Sequence, residues 1–423
     1  MIFGKKLVLA LGFLLAPSAF SSPVAYLSKL DRNFQSLPNV LLETEDGYIY
    51  RPDDTQESDF KDLYYINLSD GLYDRLSVES LGSVVLMAEG RFAVLHIAQD
   101  KIPLVSTLLH DERTKCGQLV RLSGDTVVSD RAAAVALPVI STSQTITSLR
   151  SLHAQISASS IEDLVTKMSD LTTRHSKAAT ARQTTDLLVS AYSAYPRNDV
   201  TVSTFAHKST PNQPSVIVRI EGSVHPEEVV VIGSHIDSIA SFSTRAPGAD
   251  DNASGTASHF EAFRVILENN LKFDRTIEIH GYAGEELGLI GSLDIAKKYA
   301  STGVKVVAML QNDMNMYREG NKDVIWLITN DTNARLTSDV AALVTKYQDV
   351  ELHQGRLSAG SSDHAAWTRQ GIPTVFPTEN PTAYNHAIHT SRDTIDNSGK
   401  FTQSAEFSKL TLSFLAHFAG LQN

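Results

Sequence analysis

The chain has 423 residues, of which 42% are hydrophobic and 20% are charged, a composition typical of a globular protein that excludes wholesale disorder. This length is sufficient for one large domain and a smaller one, each with a core of its own. The formal net charge is -11 and no long run of Lys or Arg is present, which argues against a nucleic-acid partner.

The first residues have the pattern of a secretory signal. Lys5 and Lys6 precede an apolar run over 7–16, and small residues that suit a cleavage site follow at 19–21. We therefore expect a signal peptide over 1–21 and a secreted or periplasmic protein. The alternatives are a buried helix or a membrane anchor. Because the apolar run is about half of the ~20 residues that a bilayer span requires, no stable membrane insertion is expected.

Residues 22–140 contain short apolar or aromatic runs that Gly-containing turns separate. They predict a smaller N-terminal region, β-rich or α+β, which is either a propeptide that is removed or an accessory domain that stays. Cys116 is the only cysteine, so no disulfide can form within the chain. The clearest predicted strands are 48–50, 84–87 and 92–97.

A Ser/Thr-rich stretch over 141–148 predicts a linker, and a domain boundary near residue 140. Beyond it, apolar runs alternate with helical patterns, which indicates an α/β domain over 141–423 with a mixed, largely parallel central sheet flanked by helices. The predicted helices are 161–171, 181–195, 253–269, 289–300, 332–347 and 405–421, and the predicted strands are 229–232, 276–280, 304–310 and 324–328.

Potential metal ligands lie in five short segments, most of them at or just after a predicted strand end, where the functional residues of open α/β sheets gather. The segments supply two imidazoles and several carboxylates, a donor set that suits zinc and can hold two ions. These segments are 233–238, 248–255, 283–288, 310–314 and 387–390.

In their order along the chain and in their local residue patterns, the five segments resemble the co-catalytic zinc aminopeptidase family. This family includes secreted bacterial leucyl aminopeptidases and also contains glutaminyl cyclases. The resemblance covers roughly residues 145–423 and implies a zinc-exopeptidase-like fold with two Zn²⁺ per chain. It implies that Asp251 bridges both ions. Glu286 and His389 would then hold one ion, and His235 and Asp313 the other.

Two further residues are expected to act in catalysis without holding metal. The resemblance implies that Glu285 is the general base, which would accept a proton from the attacking water. Asp237 lies two positions after His235 and is expected to orient the free nitrogen of that imidazole.

The surroundings of the bridging position leave one assignment open, because Asp250 and Asp251 could exchange roles. Asp393, four residues after His389, is a candidate for a supporting carboxylate of the same kind as Asp237. The resemblance also implies a cis peptide bond between Asp251 and Asn252.

The sequence departs from the family pattern close to the Ser-Asp-His segment. Ala359 stands where relatives that prefer leucine carry a tyrosine that stabilises the oxyanion, and Leu357 and Ser361 replace a cysteine pair found in some relatives. Tyr384 is the expected alternative donor. Thr378 and Thr382 would make the substrate pocket less apolar, so a preference for leucine is left open. The predicted pocket residues are Met314, Phe376, Tyr384 and Ile388.

Together these features predict a secreted, monomeric zinc aminopeptidase that acts on peptides with a free N-terminus. Two rival reactions on the same scaffold are glutaminyl cyclisation, which would be expected to use one zinc, and carboxypeptidase action. A non-catalytic interaction domain is a third possibility, but such proteins typically lose ligands, whereas all five are present here together with Glu285.

Overall fold

The computed structural model describes residues 24–28, 40–43, 47–52, 60, 62–67, 75–88, 92–102, 104–105, 119–122, 146–240, 243–357 and 361–422. The predicted signal peptide, the boundary near residue 140 and Ala359 lie outside these residues.

The described part of the N-terminal region consists of small antiparallel sheets and a short helix. Its elements are β1 (Ala25–Ser28), β2 (Val40–Glu43), β3 (Gly47–Tyr50), β4 (Leu63–Asn67), α1 (Arg75–Leu81), β5 (Ser83–Ala88), β6 (Phe92–His96) and β7 (Leu119–Arg121). One sheet has the order β1-β3-β2 and the other the order β5-β6-β4-β7. The three clearest predicted strands correspond to β3, β5 and β6, so the expected β-rich region is confirmed.

An eight-stranded sheet forms the centre of the larger region. Its strands are β8 (Val200–Phe205), β9 (Ser215–Ile220), β10 (His225–His235), β11 (Arg275–Tyr282), β12 (Lys305–Gln311), β13 (Val324–Ile328), β14 (Glu351–Gly355) and β15 (Thr374–Thr378). The strand order is β14-β13-β15-β12-β10-β11-β9-β8. The central pairs β11-β10, β10-β12 and β12-β15 are parallel, whereas β8, β9 and β11 pair antiparallel at one side. The sheet is therefore mixed, as predicted.

Strand β10 shows why a central strand can contain a continuous apolar run. Successive side chains of a strand point to opposite faces of the sheet. Val230 and Ile232 belong to the hydrophobic core on one face, and Val229 and Val231 to the core on the other. Because helices cover both faces, no position in this run is left for a polar residue.

Helices flank the sheet and enclose these two cores. They are α2 (Leu149–His153), α3 (Ala158–Ser169), α4 (Arg182–Ser193), α5 (Gly255–Glu268), α6 (Ile290–Thr302), α7 (Ala334–Tyr347), α8 (His364–Thr368), α9 (Ile395–Ser398) and α10 (Phe401–Leu415). Side chains cap the N-termini of two helices. Ser157 Oγ accepts from the amide of Ser160 at 3.2 Å, and Asn333 Oδ1 accepts from the amide of Leu336 at 2.9 Å.

The predicted helices and strands of this domain are present, with boundaries displaced by a few residues. The largest difference is at the C-terminus, where α10 covers Phe401–Leu415 and the predicted helix covers 405–421. In the described part of the chain, no helix is long and apolar enough to cross a bilayer.

Candidate metal centre and active site

The sheet register brings three of the ligand-bearing segments together. In β10, His235 is aligned with Tyr282, the last residue of β11, and Gly233 is aligned with Gln311, the last residue of β12. The loops that leave these three strands therefore start at the same edge of the sheet. His235 ends β10, Glu285 follows β11, and Asp313 follows β12.

The five predicted ligands form two groups that share one carboxylate. In each group, one donor atom per residue lies within 4.8 Å of the others. Asp251 Oδ1 is 2.9 Å from His235 Nε2, which is 3.4 Å from Asp313 Oδ1. Asp251 Oδ2 is 2.9 Å from His389 Nε2, which is also 2.9 Å from Glu286 Oε2. The two oxygens of Asp251 thus serve different groups, as a bridging carboxylate would.

Hydrogen bonds alone do not account for this arrangement. The Nε2 atom of His389 faces two carboxylate oxygens at equal distance, yet an imidazole nitrogen carries one proton and donates along one direction. Donor atoms that share a tetrahedral zinc ion at 2.0–2.1 Å stand about 3.3 Å apart, close to the separations in both groups. Glu286 Oε1 and Asp313 Oδ1 are buried without a hydrogen-bond partner among the described residues. The donor set therefore fits metal ions.

The electrostatics of the cluster also favour added positive charge. Burial raises the pKa of Glu285 well above its usual range and that of Glu286 to about 7. Burial lowers the pKa of His389, but the carboxylates of Glu286 and Asp251 outweigh this effect and raise it to about 10. Imidazoles must be neutral to bind metal. Divalent cations would take over the role of these protons.

A tight turn presents Glu285 and Glu286. It begins at Gly284 and ends at Gly288, whose φ angles of 69° and 99° lie in the left-handed region that favours glycine. The carboxylate of Asp237 accepts from the amides of both glutamates, at 3.0 Å from Glu285 N and 3.3 Å from Glu286 N.

Asp237 also makes the contact with His235 that the sequence predicts. Its Oδ1 lies 3.5 Å and its backbone carbonyl oxygen 3.3 Å from His235 Nδ1, in line with the expected orientation of that imidazole. The bonds to the glutamate turn were not predicted, because they join positions that are far apart in the sequence. Asp237 therefore contacts both a candidate ligand and the candidate base.

Glu285 is set apart from the five ligands. Its Oε2 is 4.0 Å from His235 Nε2, and its side chain is 13% exposed, whereas that of Glu286 is 2% exposed. Glu285 can also be grouped with His235 and Glu286 as a third set of potential donors. Its greater distance and exposure favour a place at the rim of the two ligand groups, which together are called the cage below.

The surroundings of Asp251 distinguish it from its neighbour. Asp393 accepts from the amides of Asp250 and Asp251 at 3.1 and 3.0 Å and so fixes the backbone of the shared ligand. The Asp250 carboxylate turns away and accepts from the amide of Met316 at 3.0 Å. This geometry favours Asp251 as the bridge. The peptide bond between Asp251 and Asn252 is cis, which confirms that expectation.

Among the predicted pocket residues, Met314 lies shortly after β12 and Phe376 lies in β15. Met314 is half-buried, and its carbonyl accepts from the Glu379 amide at 2.9 Å. Phe376 is buried, with its ring centroid 4.6 Å from that of His364. Tyr384 and Ile388 are 6% and 4% exposed. These contacts do not identify a substrate, so the pocket and the oxyanion role of Tyr384 stay predictions.

Several residues around the cage were not predicted. Ser362 Oγ donates to Asp313 Oδ2 at 2.5 Å and holds that carboxylate from behind. Arg174 is completely buried, and its guanidinium donates to the carbonyls of Ile236, Pro247 and Gly248. It thereby joins the loop before Asp237 to the one before Asp251. No local sequence signal marks Arg174, because its role arises only when these loops meet.

Replacing Arg174 by Met should lower the free energy of unfolding by about 3–5 kcal/mol, because it leaves buried carbonyls and carboxylates without their cation. Urea denaturation in excess zinc would measure this change. Arg182→Met is a suitable control, since Arg182 is 57% exposed in a surface ion pair, which contributes about 0–1 kcal/mol. Equal effects of the two substitutions would contradict the assigned role.

The fold and the site together define a class of protein. Two groups of zinc-type donors that share one carboxylate, at the edge of an α/β sheet, fit a zinc-dependent hydrolase.

Comparison with known proteins gives the family. Residues 215–414 match the model of Peptidase family M28. A probable leucine aminopeptidase 1 of Trichophyton verrucosum is 35% identical over 309 residues, 68% of this chain and 82% of that relative. A probable aminopeptidase of Saccharomyces cerevisiae is 37% identical, but the match spans only 52% of this chain and 61% of that relative. The crystal structure of the LapA aminopeptidase of Legionella pneumophila has a TM-score of 0.72 at 25% identity and covers 85% of this chain and 98% of that chain. The chain therefore belongs to peptidase family M28 and is a peptide hydrolase of the metallo-aminopeptidase class, which confirms the resemblance seen in its sequence.

Proposed function

We propose that the chain hydrolyses N-terminal residues from peptides with two zinc ions. His235, Asp251 and Asp313 would hold one ion, and Asp251, Glu286 and His389 the other. The observation that carries this proposal is the position of Asp251, whose two oxygens each lie 2.9 Å from a different candidate ligand. Zinc, when bound, would polarise the scissile carbonyl and lower the pKa of the attacking water.

The chain's own residues supply the proton transfers in this proposal. Glu285 would accept the proton of the water and deliver it to the leaving amine, and its place at the rim of the cage suits contact with both. Asp237 holds the backbone of Glu285 and so fixes the base relative to His235. Oxyanion stabilisation beyond the metals is assigned to Tyr384, and Met314, Phe376, Tyr384 and Ile388 are proposed to receive the N-terminal side chain.

Glutaminyl cyclisation and carboxypeptidase action remain the rival reactions. Two three-donor groups favour a two-zinc aminopeptidase over a cyclase, which would be expected to need one ion. The side chain preferred at the N-terminus, leucine or another apolar residue, is part of the proposal.

Assay of the purified chain on a panel of aminoacyl anilides would test the proposed function directly. We expect hydrolysis that a chelator abolishes and zinc restores, with activity returning as about two equivalents bind per chain. N-acetylated versions of the same substrates serve as the control and should not be cleaved, because an aminopeptidase needs a free amine. Cyclisation of N-terminal glutamine with one zinc bound would overturn the assignment.

We further propose that the protein is exported and acts as a monomer, with the pattern over residues 5–21 as the support for export. Determination of the N-terminal sequence of the mature protein would test this idea. A mature chain that still begins at Met1 would contradict it.

A further inference from the structure

The hydrophobic core of the N-terminal region contains one residue of the glutamate turn and one from the start of α6. Leu287 directly follows the glutamate pair and Ile290 begins α6, and they are 0% and 2% exposed. They belong to the same buried cluster as Tyr64, Ile66 and Leu95 of strands β4 and β6. The glutamate turn is thus packed on one side by residues that precede the predicted boundary near 140.

Backbone contacts make this packing close. A Cβ atom at Gly288 would stand 2.9 Å from both Cβ and N of Arg121 in β7, so the turn and the strand touch without room for a side chain. Arg121 Nη1 also donates to Ser209 Oγ at 3.1 Å. Farther along, Lys177 Nζ donates to the backbone carbonyl of Gln99 at 3.4 Å.

The position of Glu285 is determined between two attachments. On one side, the Asp237 carboxylate binds the amides of Glu285 and Glu286. On the other, the Leu287 side chain is inserted in the N-terminal core. Since Gly288 N donates to Glu285 O at 2.8 Å, the turn is short and transmits a shift of Leu287 to the base.

We propose that the N-terminal region is a permanent part of the catalytic centre and positions Glu285 through Leu287. Its removal would expose Leu287 and Ile290 and leave the turn attached on one side only, which is opposite to what a removable, inhibitory propeptide requires. Leu287 is a positioning residue, since it acts through Glu285. The inference rests on the proposed role of Glu285 as the base.

Substitution of Leu287 in the full-length zinc enzyme tests this inference. We expect Leu287→Ala to lower kcat about 10²-fold while KM and zinc content stay unchanged, because small misplacement of a reacting group has effects of this size. Ile66→Ala, in the N-terminal strand β4, should lower kcat in the same way, and Leu287→Met should restore most of the activity.

Leu343→Ala is the matched control, because Leu343 is equally buried, 0% exposed, but lies in α7 away from the cage. All variants would be assayed well below their unfolding temperatures, so that loss of stability does not mimic loss of positioning. The control should keep a wild-type kcat. If Leu287→Ala and Leu343→Ala lower stability alike and neither changes kcat, the positioning role is overturned.

A second experiment does not depend on activity. A protease recognition sequence would be inserted within the predicted linker, 141–148, of the full chain. After cleavage we expect the two fragments to co-elute and the peptide that contains Glu285 to keep its slow hydrogen exchange. Departure of the N-terminal fragment with this protection retained would overturn the inference. A zinc-loaded chain inactive on every anilide would instead overturn the proposed function, whatever the fragments do.

Discussion

Glu285→Ala is expected to lower kcat by about 10²–10⁴-fold, the usual contribution of a general base, with zinc content unchanged. Zinc content should stay unchanged because the Oε2 atom of Glu285 is 4.0 Å from His235 Nε2, whereas the five proposed ligands form two groups without Glu285. Glu285→Gln should be as inactive, because an amide preserves the shape of the side chain but cannot accept the proton. Steady-state kinetics on an aminoacyl anilide and metal analysis of the same samples would measure both quantities.

The surface residue Glu268, whose side chain is 46% exposed, provides a control of the same chemistry, and Glu268→Gln should behave as wild type. Loss of zinc together with activity in the Glu285 variants would show that this residue is a ligand, as its grouping with His235 and Glu286 allows. A variant with near-normal kcat would rule out the proposed base.

Asp251→Ala should remove both metal ions and lower kcat/KM at least about 10³-fold, since the Lewis-acid contribution of bound metal is several kcal/mol. His389→Ala is the informative comparison, because His389 belongs to one group only and its loss should spare the ion held by His235 and Asp313. Metal analysis after dialysis, followed by a zinc titration, would distinguish the two variants.

Asp250→Asn is the matched control for this prediction. The Asp250 carboxylate accepts from the Met316 amide, and an asparagine oxygen can do the same, so zinc content should remain at the wild-type level. If Asp250→Asn lost the metal and Asp251→Ala retained it, the two aspartates would have the opposite roles.

The sequence predicted the parts of the fold that local patterns encode. Strands β10 and β12 contain continuous apolar runs, 229–232 and 306–310, because both faces of the sheet are covered, and the predicted runs fall within or close to the observed strands. Strands β9 and β14 were not predicted, and neither was the edge strand β8. It alternates half-buried and exposed residues over VTVSTF, a period of two that is typical of a half-buried strand and was overlooked.

The candidate site also combines residues that the sequence predicts with residues that it does not. The candidate ligands could be found because each lies in a short segment that has the residue pattern of a family motif. The register of the sheet then brings three of these segments together. Arg174 and Ser362 were not predicted, since an arginine or a serine is ordinary until the residues that it binds are known. The burial of Leu287 in the N-terminal core was equally invisible, because it depends on packing between distant parts of the chain.

The wide separation of His235 and His389 along the chain has one more consequence. The two ions, joined through Asp251, would connect the end of a central strand to the loop before the last helices, and they would bind the folded chain far better than the unfolded one. Such binding adds RT ln(1 + [L]/Kd) to stability. In a protein with a single cysteine, the two ions would thus serve as an internal cross-link. Loss of zinc would first increase the susceptibility of the chain to proteolysis.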